Sequence, residues 1–237
     1  MSSGVLPRSF LPTRDSLHQL AFFVLAPARY LFEERMGLRP TRNGFSTPWL
    51  GEKVLRVEDD LVVVETVEGV AARTITTVAD AADFFGVTYR TVWFEGFRHP
   101  VEPYPPDRQL DIDVSSVQLI GDLFAQGERV LERFGELVPG EITEIQLWPE
   151  HFDLAVETGD QALGEKASFG VSPGDTAHPL PYFYVSAWGG IDRSDPYWND
   201  DAFNGASLGY RALVESAHPE TTALDFLVEG YRAIHAR

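Results

Sequence analysis

From residue 142 to residue 210 the chain reads as strand-length stretches in succession, at 142–148, 152–157, 166–171, 182–188 and 204–210, with no helix-length apolar stripe between them. This run constrains the fold more than any other feature. Parallel neighbours need a crossover of a dozen or more residues, usually a helix. Strands that follow one another directly therefore pair antiparallel, and the fold class is α+β.

The same grammar appears earlier in the chain. Strands at 53–58 and 61–67 flank the acidic turn "EDD", "ARTITTV" reads as a third strand, and "YRTVWFEGF" as another. "VADAADFFG" reads as a short helix closed by Gly86, and "RPTRNGFSTPWLGE" as a loop. Helices bracket these strands. Residues 1–14 read as a loose arm, and 16–36 as a largely buried helix capped by Asp15 or Ser16 and ended by Gly37. Pro27 should kink that helix or begin a second one. In "SSVQLIGDLFAQGERVLERFGEL" the residues Val117, Ile120, Phe124, Leu131 and Phe134 fall on one face, and "TTALDFLVEGYRAIHA" closes the chain as a helix. The expected architecture is a mainly antiparallel sheet with helices packed on one side, arranged as two related halves. Residues 1–98 form the first half and 114–237 the second. The connection 99–113 carries Pro100, Pro103, Pro105 and Pro106 and forbids regular structure. The halves stand as two domains or close into one.

Composition narrows the function classes. A hydrophobic share of 44% over 237 residues supplies a sizeable core. The 36 acidic against 19 basic residues give a net charge of -17, which repels phosphate backbones and anionic lipids, so neither nucleic acid nor a membrane is an expected partner. The cations are scattered apart from Arg35, Arg39 and Arg42. With no cysteine, disulfides, thiolate metal sites and thiol nucleophiles are excluded. Arg8 and Arg14 ahead of "LAFFVLA" outline a secretory signal. Asp15, His18 and Gln19 interrupt it, and the apolar pattern runs on through Tyr30, Leu31 and Phe32. A cytoplasmic address is the expectation.

"GVSPG", Gly170 to Gly174, matches the pentapeptide of serine hydrolases with Ser172 as nucleophile. The residue that follows must donate its N–H to the oxyanion, and Pro173 has none. The stretch reads instead as a strand ending in a type II turn. In "DRSDPYWNDDAFNG" the carboxylates do not follow the alternate spacing of a calcium loop and read as caps of a solvated loop. His151 and Asp153 sit two apart on a strand, on one side and about 7 Å apart. With His178 or His218 they would complete the two-histidine, one-carboxylate set of a non-haem iron enzyme, the alternative reading. In "PYFYVSAW" Phe183, Val185 and Ala187 read as core. Tyr182, Tyr184, Ser186 and Trp188 form an amphipathic face suited to a ligand or a partner.

Four motifs, "LWPEHFDLAV", "VSPGD", "PYFYVSAW" and "DPYWND", occur in that order before the closing helix. Over residues 114–237 this string resembles an uncharacterised bacterial protein family, a domain of unknown function. The resemblance implies a second histidine after the Trp-Pro pair; Glu150 stands there, and His151 remains. It implies no activity, cofactor or catalytic residue. The leading expectation is a binding protein without chemistry of its own and without a cofactor. Its partner is a small molecule or a protein. The site is an aromatic and polar face of the second sheet, made of His151, Asp153, Tyr182, Tyr184, Trp188 and Trp198. Exposed strand edges can pair two copies into a homodimer, and the sequence does not single out which edge is free.

Overall fold

A computed structural model describes residues 5–90 and 101–235. The chain is α+β, with two five-stranded antiparallel sheets in two similar halves. Helix α1, Phe10–Leu20, runs into a π-helical turn at Ala21–Leu25 and then into α2, Ala26–Glu33. The first sheet follows, with β1 Arg39–Thr41, β2 Gly44–Ser46, β3 Lys53–Glu58, β4 Leu61–Thr66 and β5 Gly69–Thr74, paired in that order. Helix α3, Val78–Phe85, and the long α4, Val114–Leu137, come next. The second sheet contains β6 Gln146–Trp148, β7 Asp153–Thr158, β8 Ala167–Ser172, β9 Tyr182–Ala187 and β10 Gly205–Gly209, again in sequential order. Helices α5, Tyr210–Glu215, and α6, Pro219–His235, close the chain. No described helix is long and apolar enough to cross a membrane.

Several expectations are corrected by local chemistry. The first helix begins at Phe10 instead of residue 16. Pro12 lies in its first turn, where a missing N–H costs little. Pro27 falls in the first turn of α2, and the π-helical turn just ahead of it absorbs the change of register, so two helices replace one. Glu34, in the left-handed region at φ 56°, ends α2 before Gly37 is reached. The stretch read as a loop holds β1 and β2, and the third strand is 69–74, earlier than "ARTITTV". The strand expected in "YRTVWFEGF" lies largely outside the described residues.

The chain divides into two compact units, though not at the Pro-rich connection. One comprises Leu6–Ala125 with Leu147–Phe152; the other comprises Gln126–Gln146 with Asp153–Arg237. Within the first unit, the described part of the connection is stitched along α1. Gln19 donates its side-chain amide to the Glu102 carbonyl and accepts from the Tyr104 N–H, both at 2.9 Å. The Ser16 and Thr13 hydroxyls accept the N–H groups of Asp111 and Asp113 at 2.9 and 3.1 Å. A Pro-rich segment cannot satisfy its backbone in a ladder, so buried polar side chains on a helix do it instead. Asp113 then caps α4, accepting the Ser116 N–H at 2.9 Å.

Within the second unit, α4 and α6 cover one face of the sheet. Leu154, Val156, Phe169, Val171, Phe183 and Val185 share that face by register and are buried. Phe134 of α4 packs on Phe169 with ring centroids 4.6 Å apart. The helix approaches so closely at Gly127 that an added Cβ would lie 2.3 Å from the Val171 side chain.

Candidate functional site: a buried layer of phenols and carboxylates

The other face of the second sheet is polar, and it is dry at the end that holds Asp153, Ser172 and Tyr182, while its Glu157, Ser168 and Ser186 row is half-buried. Cross-strand register sets Ser172 of β8 opposite Tyr182 of β9, and Gly170 opposite Tyr184. Extending the β7–β8 register by one residue brings Asp153 beside Ser172. Tyr182, Tyr184, Asp153 and Ser172 are all buried, with Asp153 4% exposed. Tyr184 lies across Gly170, where a Cβ would meet its ring at 2.8 Å, so the missing side chain at 170 is what lets the phenol lie flat over the strands.

Each acid in this layer has a donor. The Tyr184 hydroxyl donates to Asp153 Oδ2. The Tyr182 hydroxyl donates to Asp175 Oδ2 at 2.6 Å. His178 Nε2 stands 2.8 Å from Asp200 Oδ2, and its Nδ1 lies 3.6 Å from Asp175 Oδ1. The rings adjoin in sequence: His178 to Tyr182 at 4.6 Å, Tyr182 to Tyr184 at 6.0 Å, with Phe203 edge-on to Tyr184 at 6.2 Å. Burial, then the neighbouring carboxylate, pushes both phenols well above the ordinary tyrosine range, so they remain protonated donors. Burial pushes Asp175 up, but the Tyr182 hydroxyl and the N–H groups of His178 and Ala177 outweigh it and hold the acid below its usual range.

Two loops supply the cover. After β8, the Ser172 hydroxyl accepts the Gly174 N–H at 3.1 Å, and Gly174 takes φ 105°. Asp175 Oδ1 accepts the N–H groups of Ala177 and His178, each at 2.7 Å. The "VSPGD" string is thus the end of β8 and the turn after it, and its serine is the buried last residue of the strand. In the acidic loop the carboxylates of Asp192, Asp195 and Asp200 accept the N–H groups of Ser194, Tyr197 and Ala202. Arg193 spans this loop, donating to the Asp200 and Phe203 carbonyls at 2.6 and 3.2 Å. These local caps fold the loop back so that buried Asp200 reaches His178.

The structure brings Asp153, Tyr182 and Tyr184 together and leaves the other expected residues elsewhere. His151 is exposed in the turn before β7 and belongs to the first unit. Phe152, with φ 52°, breaks the alternation there; its ring is buried among Phe45, Phe124 and His18 instead of continuing β7. Trp198 is buried at 5% exposure, edge-on to Tyr197 at 4.9 Å. Trp188 is 49% exposed at the far end of β9, with Lys166 Nζ 3.8 Å above its ring and its indole N–H donated to Ser168 Oγ at 3.0 Å. His218 is exposed at the start of α6. Among the described residues, no group of three or more His, Asp or Glu is placed to hold a metal ion. The sequence does not mark Asp175 for this site; it offers Asp200 only as a carboxylate of the acidic loop, Phe203 only as one of several aromatics nearby, and His178 only as a metal-ligand candidate. Turn chemistry in "SPGD" marks Asp175 as a cap, but the contact of His178 with Asp200 joins two loops and has no local signal. Compared with known protein families, curated proteins and solved structures, the chain finds no match in any of the three.

Proposed function

We propose that the protein binds a small molecule on the polar face of the second sheet, at the end where His178 and Asp175 reach solvent above Tyr182, and that it performs no chemistry of its own. The observation that carries this reading is the linked row of His178, Tyr182 and Tyr184, each ring paired to a carboxylate. Such a row presents aromatic surface and negative charge in a fixed geometry. The side chains of His178 and Asp175 are 24% and 42% exposed, so the row has an open end. A pre-set aromatic wall with a few convergent polar groups is the common design of a small-molecule site. A cytoplasmic address belongs to the same reading, and a cysteine-free chain is compatible with it.

The test is a thermal-shift and tryptophan-fluorescence screen against a broad metabolite collection, followed by amide chemical-shift mapping of any hit. A ligand should perturb the amides of residues 172–178 and 182–184. Tyr182→Phe and Asp175→Asn should each weaken it at least tenfold while the far-UV spectrum stays unchanged. Either of two results sinks the reading: no hit in the collection, or a hit whose affinity both variants leave intact.

A further inference from the structure

Most of the sheet edges among the described residues are closed by specific hydrogen bonds. At β1, Leu38 exchanges both backbone bonds with Leu147, at 2.7 and 2.8 Å, and the same pair occupies β6. At β10, the Asn199 side chain stands in for a strand: its Oδ1 accepts the Ser207 N–H at 2.9 Å, and its amide donates to the Ser207 carbonyl at 3.1 Å. Among the described residues, β5 has none of these devices. It is six residues long, contains no proline, runs in unbroken register from Leu61↔Thr74 to Thr66↔Gly69, and is exposed throughout. Natural edge strands are shortened, bulged, charged or covered, because unpaired N–H and C=O groups in a row invite another strand.

We infer that β5 pairs with β5 of a second copy of this chain, antiparallel about a twofold axis at Ala71, joining the two first sheets into one. The hydrogen-bond phase of the strand fixes which groups are free. The Ile75 N–H donates to the Asp60 carbonyl at 2.8 Å, so Ile75 and its alternates Arg73, Ala71 and Gly69 face β4. Val70, Ala72 and Thr74 therefore turn both backbone groups outward. A twofold axis perpendicular to an antiparallel pair passes through a residue and its own copy. Two centres suit the length of this strand.

An axis at Ala72 would place the two copies of Arg73 diagonally across from each other, where like charges repel. An axis at Ala71 sets Arg73 opposite Gly69, pairs Val70 with Ala72 through backbone bonds, and brings Val67 opposite Ile75. Charge thus selects the second register. It also covers Val67 and Val70, which are 78% and 63% exposed. Arg73 does not obstruct the approach, since its guanidinium lies over the Phe84 ring at 4.9 Å. In a chain of net charge -17, Gly69–Thr74 carries no carboxylate, so joining two copies here sets no acids face to face across the new ladder.

The test is sedimentation of the full chain from low micromolar to near-millimolar concentration, with amide hydrogen exchange at both ends of that range. A dimer should form, and the amides of Val70 and Ala72 should gain protection with concentration while those of Ala71 and Arg73, already bonded to β4, do not change. Ala72→Pro removes an outward N–H that β4 does not use and should leave a folded monomer. Val70→Lys, which adds a charge without touching the backbone, should do the same. A chain that stays monomeric throughout overturns the proposal, including one that instead takes up an extended segment of another protein. So does a dimer that persists in both variants.

Discussion

The two sheets share a strand order and differ in what lies on the face turned away from the helices. In the first, burial fades from β3 to β5, and all six residues of β5 are exposed. In the second, β7, β8 and β9 are buried on both faces except at the half-buried row of Glu157, Ser168 and Ser186, one face against apolar helices and the other beneath loops rich in aspartate. The difference teaches that a sheet face can be kept from water by acidic loops, provided that each carboxylate inside meets a hydroxyl, an imidazole or a backbone N–H. The first sheet keeps a bare edge and the second an internal polar layer. The candidate ligand site and the candidate assembly surface follow from those two outcomes.

The comparison breaks if the two sheets respond alike to truncation. Phe169→Ala should destabilise the protein by about 4 kcal/mol, because a fully buried ring between β8 and α4 leaves a cavity. Val70→Ala, on exposed β5, should change the stability of the monomer by less than about 0.5 kcal/mol. Urea unfolding at low protein concentration measures both.

Acid should separate the units in order. The His18 imidazole, in the first unit, donates Nε2–H to the Pro149 carbonyl at 2.9 Å and stacks on Phe152 at 5.4 Å. Burial lowers its pKa from 6.5 to about 4. Its folded-state value is depressed, so its contribution is complete above pH 6.5 and is lost as pH falls toward 4, by up to about 3 kcal/mol at 1.36 kcal/mol per unit. Burial raises the Glu150 carboxyl in the same unit, which works in the opposite direction, so the His18 effect is isolated by comparing wild type with His18→Gln at pH 7 and pH 4.5. The variant should lose the dependence that wild type shows in that window.

Tyr184→Phe sharpens the contrast within the second sheet. It leaves the ring in place but removes the donor to buried Asp153, and should cost about 2 kcal/mol, the value of a hydrogen bond to a charged group. The corresponding Tyr184→Phe, Asp153→Ala double variant should recover part of that loss if the two groups act as a pair. The smallest effect is that of Asp175. Its lowered pKa means that its contribution is complete above the ordinary carboxylate value and is lost as pH falls through the folded one, so the second unit should weaken only below about pH 4. Asp175→Asn should flatten that final decline, followed by near-UV circular dichroism.

Much of the architecture was legible because it is written locally. The alternation in "PYFYVSAW" marks Phe183 and Val185 as core and sets Tyr182 and Tyr184 on the opposite face, and the register gives the same division. The stripe Val117, Ile120, Phe124, Leu131, Phe134 became α4 within a residue of its expected start. The false hydrolase motif was legible too, since a proline after the serine rules out the needed donor. The alternation failed at Phe152, because its left-handed backbone ends the period just where His151 would have joined the site. No spacing rule reports that, since a positive φ at a phenylalanine is held by packing against Phe45 and Phe124, far away in sequence.

By itself, then, the sequence determined the class, the antiparallel pairing, the polarity of each strand face and the turn chemistry of the loops, all of which depend on neighbours a few residues apart. Tertiary structure alone decided that the polar face would be covered, that His178 would meet Asp200, and that β5 would be left as a bare edge. Those outcomes depend on which distant groups satisfy one another once water is removed, and a short-range pattern carries no record of that exchange.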